Sequence, residues 1–187
     1  MKKQFFEWQL SHSKQVDSER LDKIPASVPG AVQLDYAKAF SYPPYYFGLN
    51  FQRFVWMEDE YFHYQTTLDF ACEKGEQAWL CIENIDYRYQ ITIDGELVAD
   101  GEGIFTPVQV DITRFAGQKR ALCVTVFPIP KRYDEPNRSQ ASASCKPPSS
   151  YSWDWHPRLV PTGIFGEACL KIVQQGELLE TEIATFV

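Results

Sequence analysis

The chain has 187 residues, 44% of them apolar and 15% aromatic, which suits one domain built around a single substantial core. Its 18 Lys and Arg against 25 Asp and Glu leave a net charge of −7, which argues against nucleic acid or an anionic membrane as the partner. No run of about 18 apolar residues is available to span a bilayer.

The opening Met1-Lys2-Lys3-Gln4-Phe5-Phe6-Glu7 lacks the apolar stretch of about 7–15 residues that a signal peptide needs. Five cysteines, Cys72, Cys81, Cys123, Cys145 and Cys169, stand at wide spacing without a C-x-x-C pair, the usage of a reducing compartment. A cytoplasmic location is therefore expected, or a periplasmic or secreted one should a signal peptide have been removed.

Taken in chain order, residues 5–10 alternate loosely and predict a first strand. Val28-Pro29-Gly30 marks a turn, and a short helix follows through Ala39. Residues 41–50, with Pro43-Pro44-Tyr45-Tyr46-Phe47-Gly48, are too rich in proline for regular structure and are expected as a tyrosine-rich surface loop. The adjacent acids Glu58, Asp59 and Glu60 are expected in a solvated turn.

Residues 61–70 set Phe62, Tyr64, Thr66, Leu68 and Phe70 on one face of a strand. Another strand is predicted over 78–83. Strands over 87–93 and 97–99 flank Asp94-Gly95, a pair suited to the positive φ of a type I′ hairpin. Further strands are predicted over 105–112 and 121–127, joined by a brief turn. Residues 128–150 then lose periodicity and carry Pro128, Pro130, Pro136, Pro147 and Pro148. A segment of that length is functional or disordered. Strand character returns over 163–173 and 178–187. Roughly nine short strands with hardly any helix imply one all-β domain, residues 1–187, folded as an antiparallel β-sandwich of jelly-roll type.

The candidate site is Trp153-Asp154-Trp155-His156-Pro157-Arg158-Leu159. An indole face covers the C–H side of a pyranose, and a carboxylate accepts hydrogen bonds from vicinal hydroxyls. Strand alternation would send Asp154 away from the two tryptophans, whereas a bulge or loop would bring all three together. The competing reading puts both tryptophans in the core, with Asp154 capping a turn or pairing with Arg158.

Ser149, Ser150, Asp154 and His156 hold the atoms of a nucleophilic triad. No G-x-S-x-G elbow is present, however, and triad members normally come from separate elements. Cys145, His156 and His63 offer no close ligand pair, so neither a metal nor another cofactor is expected, and His156 is expected as a loop residue or minor pocket contributor. The paired acids of a glycosidase are also missing. The chain carries sugar-contact chemistry without bond-breaking chemistry.

The run Ser152-Trp153-Asp154-Trp155-His156-Pro157-Arg158 through Gly163-Ile164-Phe165 resembles the G-W-D-W-G-P-R…G-I-W signature of the N-terminal sugar-binding domain of glycoside hydrolase family 2, particularly its β-mannosidase branch. Val28-Pro29-Gly30 with Asp35, the loop from Pro44 to Asn50, Ile82 to Asp86 and the hairpin around Asp94-Gly95 agree in order, so the likeness extends from about Trp8 to Ile172.

The resemblance implies a galactose-binding-like jelly roll that precedes an immunoglobulin-like domain and a catalytic barrel holding both catalytic glutamates. It further implies that Trp153 and Asp154 reach toward the sugar, with Trp155, His156 and Lys146 as further substrate-binding candidates. The partners implied are a terminal β-mannoside or related glycoside and those other domains, and the chain alone is not expected to be an enzyme. A freestanding carbohydrate-binding module is the alternative, as is the corresponding domain of a β-galactosidase- or β-glucuronidase-like enzyme. The chain departs from the signature at His156, which stands in place of Gly. Cys145-Lys146 keeps the lysine of an R-K pair without its arginine, Asp94 replaces a hairpin Asn, and Phe47 is inserted in the tyrosine loop.

Overall fold

A computed structural model of the protein describes residues 1–176. Its strands are β1 (Lys2–Phe5), β2 (Trp8–Ser13), β3 (Leu21–Ala26), β4 (Tyr61–Leu68), β5 (Glu76–Ile82), β6 (Ile85–Asp86), β7 (Arg88–Ile93), β8 (Glu96–Glu102), β9 (Val108–Asp111), β10 (Arg120–Val126), β11 (Gly163–Ile164) and β12 (Ala168–Gln174). One helix, α1 (Val32–Ala39), follows the Val28-Pro29-Gly30 turn. The strand expected over 178–187 lies outside the described residues.

Among the described residues, strand pairing is antiparallel throughout. A six-stranded sheet runs β3-β2-β4-β10-β7-β8, a four-stranded sheet runs β1-β12-β5-β9, and β11-β6 is a short third ladder. Leu10, Phe62, Tyr64, Ile91, Ile93, Leu122 and Val124 of the larger sheet share one buried cluster with Leu80, Ile82, Val108 and Leu170 of the smaller. Burial of each such side chain contributes about 1.5–3 kcal/mol. The architecture is the expected antiparallel sandwich, and at the β7–β8 turn Asp94 and Gly95 take φ of 50° and 83°, the signs that the hairpin requires.

Several elements differ from expectation. The first predicted strand is two, with β1 in the smaller sheet and β2 in the larger, because the chain changes sheets at Phe6-Glu7. β3 is an additional strand, polar and mostly exposed, and it tolerates Pro25 because it lies at a sheet edge. The predicted 163–173 strand breaks between β11 and β12.

The largest correction concerns the acids before β4. Residues Asn50–Asp59 coil as a 3₁₀ helix, and Glu58 and Glu60 are 3% and 1% exposed instead of solvated. Each is buried against polar partners, cationic in the case of the lysines and the arginine. Lys131 and Arg158 reach Glu58, while His12 and Lys14 reach Glu60.

The proline-rich segment is ordered around a second, small core. Residues Asn137–Ala143 and Pro148–Tyr151 form 3₁₀ turns, and Ile129, Ala141, Tyr151 and Val160 bury one another apart from the main cluster. This excursion leaves the larger sheet after β10 and returns at β11, carrying the candidate site at its far end.

Candidate functional site

Trp153 and His156 exchange backbone hydrogen bonds, Trp153 N to His156 O at 3.0 Å and His156 N to Trp153 O at 3.3 Å. Asp154 and Trp155 are therefore the two central residues of a tight turn. Neither simple strand alternation nor a core position describes them: Trp153 and Trp155 are 36% and 72% exposed, and Asp154 is exposed. Arg158 is taken by Glu58, and no hydrogen bond or ion pair joins the Asp154 carboxylate to any described residue.

Ser152, just before the turn, has φ of +105°, a region that L residues rarely occupy. The signature that this stretch resembles carries Gly here, which adopts such a φ without strain.

The turn is braced from below on both sides. Arg158 donates from Nε and Nη2 to the two Glu58 oxygens at 2.8 and 2.6 Å, a bidentate pair, and Lys131 Nζ adds a third bond at 3.1 Å. Leu159 N donates to Ser150 O at 3.1 Å, and the buried Tyr151 donates from its hydroxyl to Pro130 O at 2.5 Å.

Lys146 takes a different place from the other four candidates. It is 2% exposed, its ammonium held by the Asp86 carboxylate and by Pro161 O at 2.7 Å, away from solvent. Burial pushes the Asp86 carboxyl up and the Lys146 amine down, and their mutual attraction opposes both shifts. The Thr162 hydroxyl donates to Asp86 O at 2.6 Å. The Gln33 side chain bonds Val160 O at 3.0 Å and Thr162 N at 3.3 Å, so the returning arm of the excursion is tied to α1 and β6.

Two recesses flank the turn. One, about 370 Å³, is polar and is bounded by Asn137, Arg138, Ser152, Trp153 and Asp154. The Arg138 guanidinium lies 4.3 Å from the Trp153 ring centroid and covers one indole face, which leaves the other face and Trp155 for stacking. The other recess, about 500 Å³, is apolar and lies between α1, the tyrosine loop and the excursion, with Leu34, Tyr45, Phe54, His156 and Leu159 among its walls. His156 thus faces the second recess, its Nδ1 buried and without a hydrogen-bond partner among the described residues.

Sequence reasoning passed over Arg138, gave Asp86 no role and placed Glu58 in solvent. Glu58 carried one usable signal, since a half-buried guanidinium at Arg158 calls for a carboxylate.

Residues 8–166 match the family described as glycosyl hydrolase 2 galactose-binding domain-like. The chain belongs to that family. Among curated relatives, β-mannosidase B of Aspergillus clavatus is 23% identical over 88% of this chain, and that of Neosartorya fischeri is 22% identical over the same share. The β-D-mannosidase of Dictyoglomus thermophilum superposes with a TM-score of 0.75 at 24% identity over 91% of this chain. The exo-chitosanase of Amycolatopsis orientalis reaches 0.65 at 16% identity over 90%. At these identities the solved structures establish the shared fold. This member of the glycosyl hydrolase 2 galactose-binding domain-like family spans 21% of the length of the curated relatives and 22% of the Dictyoglomus enzyme.

Proposed function

We propose that this domain supplies the non-catalytic wall of a sugar subsite in a β-mannosidase-like glycosidase, where a separate catalytic barrel breaks the bond. Asp154 accepts hydrogen bonds from hydroxyls of the terminal sugar, and Trp153 and Trp155 flank its ring. One observation carries this reading: an exposed carboxylate, without a partner among the described residues, stands at the tip of a braced turn between two solvent-facing indoles. A carboxylate placed so costs affinity for any sugar that lacks the matching hydroxyl.

The surroundings agree. Leu34, Tyr46, Phe47 and Leu49 are all at least 60% exposed on the tyrosine loop and α1, apolar surface that a neighbouring domain would cover. The immunoglobulin-like and barrel domains that such enzymes carry are the partners proposed for it.

The isolated chain is expected to release no p-nitrophenol from aryl β-mannosides. In a chain that joins this domain to a catalytic barrel, Asp154→Ala should lower kcat/KM by about 10–100-fold, the loss of one charge-assisted hydrogen bond. Turnover by the isolated chain, or unchanged kcat/KM in the longer one, overturns the proposal. The exposure of Trp155 favours a second reading, a freestanding carbohydrate-binding module. Calorimetry with mannose and manno-oligosaccharides separates the two, because a module binds alone at millimolar concentration or below.

A further inference from the structure

On the outer face of the four-stranded sheet, Cys81 of β5 and Cys169 of β12 are directly opposed in the antiparallel register. Two positions further along, Glu83 N bonds Glu167 O at 2.9 Å. Hydrogen-bonded pairs alternate along such a ladder, so Cys81 and Cys169 form one too, with Cα atoms about 5.5 Å apart. That lies inside the window of about 4.4–6.8 Å that a disulfide spans. Both residues are thiols here and are 8% and 1% exposed. A recess of about 130 Å³, with Lys3, Glu83, Glu167 and Lys171 among its walls, opens onto both side chains.

We infer that Cys81 and Cys169 form a cross-strand dithiol site, which a two-electron oxidant of the peroxide class closes into a disulfide and an external thiol reopens. One sulfur attacks the peroxide as thiolate, the O–O bond breaks, and a sulfenic acid and hydroxide form. The second sulfur displaces the sulfenic oxygen, which leaves as water once protonated. In sum, two S–H groups and one peroxide give one S–S bond and two waters, each sulfur losing one electron.

Opposed Cβ atoms lie about 4.5–5.5 Å apart in a ladder, whereas a disulfide draws them to about 3.5–4.5 Å. The strands must close slightly, so the bridge is strained and easily reduced. Burial, and with it the Glu167 carboxylate that accepts from the Cys169 Sγ at 3.8 Å, pushes the Cys169 thiol up against the pull of Lys3 and Lys171, so closure is slow at neutral pH and faster in alkali.

The test uses a Cys72→Ser/Cys145→Ser variant of the chain, which removes the two more exposed thiols and leaves the opposed pair. After treatment with hydrogen peroxide, the intact mass should fall by two hydrogens, and peptide mapping should join the Cys81 and Cys169 peptides. Dithiothreitol should restore both thiols. The oxidised form should melt on the order of 5 °C higher, since the bridge closes a long loop of the unfolded chain. Closure should be faster at about pH 9 than at neutrality. Mapping that finds the two residues still as thiols, singly oxygenated, or joined to Cys123 overturns the inference.

Discussion

The sandwich and the excursion that carries the candidate site are stabilised by different physics. In the sandwich, Leu80, Ile91, Val124 and Leu170 are almost wholly buried and need only apolar neighbours. In the excursion, four residues make the small core, and position is set by buried ion pairs, Lys146 with Asp86 and Arg158 with Glu58. Apolar packing tolerates volume-conserving swaps. A buried charge pair adds little net stability but fixes one geometry, and its cost appears when one partner is lost. In the role proposed for it, a turn that presents Asp154 at a fixed angle needs such fixing more than it needs packing energy.

Losing one partner of the buried pair gives the largest expected effect. Lys146→Met leaves the Asp86 carboxylate buried without its cation and should cost about 3–5 kcal/mol in urea unfolding. The double variant Asp86→Asn/Lys146→Met should recover most of that loss. If the double variant is as unstable as the single one, shape rather than charge holds the excursion, and the contrast with the sandwich fails. Leu80→Ala comes next, at about 2–5 kcal/mol. Its amide exchange should quicken across both sheets, whereas Lys146→Met should quicken exchange first in residues 146–162.

The pH dependence separates the sheet from the excursion in another way. His63 of β4 is fully buried, its Nε2 2.7 Å from Ser13 Oγ and its Nδ1 3.0 Å from Thr125 Oγ1. Burial, and to a lesser degree the charges of Arg20 and His12, pushes its imidazole down to about 4 from an ordinary 6.5. The folded chain keeps the ring neutral while the unfolded chain protonates first. Stability from this group is therefore complete above about pH 6.5 and is lost as pH falls toward 4, by about 2 kcal/mol. His63→Gln should flatten that part of the stability profile, measured by urea melts between pH 7 and 4. An unchanged slope would assign it to the carboxylates of the ion pairs instead.

The same division explains what the sequence made legible. Strands such as β4 and the β7–β8 hairpin were readable because period-two alternation and Asp94-Gly95 are local signals. β3 was not, since an exposed edge strand has no buried face to write a pattern. Residues 128–150 were legible only as a departure from pattern: their order depends on partners such as Glu58 and Asp86, which lie 73 residues from Lys131 and 60 from Lys146. Glu58 itself was misjudged because three adjacent acids look solvated until the cations that reach them are known. At the site, residue types and the family signature pointed to Trp153, Asp154 and Trp155, but the turn that groups them depends on the backbone of Ser152 and His156. Lys146 was named from the signature alone, and its burial against Asp86 could not be read from residue type or spacing.

The smallest expected effect bears hardest on the proposed role. Asp154 is exposed, at the centre of a tight turn, and without a partner among the described residues, so Asp154→Ala removes no buried interaction and should change stability by no more than about 0.5 kcal/mol. Nearly all of its cost should appear as lost sugar recognition in a chain that also holds a barrel. Asp154→Asn distinguishes the reason for that cost: the amide keeps the size and one acceptor of the carboxylate but loses the charge and its paired acceptance from two hydroxyls. If charge-assisted bonding is what the turn provides, Asn should restore little of the activity lost in Ala. If Asn restores most of it, the turn contributes shape, and Trp153 and Trp155 carry the recognition. A large loss of stability in Asp154→Ala would instead make the carboxylate part of the excursion's own scaffold, and the division between a packed sandwich and a charge-positioned turn would have to be drawn one residue further out.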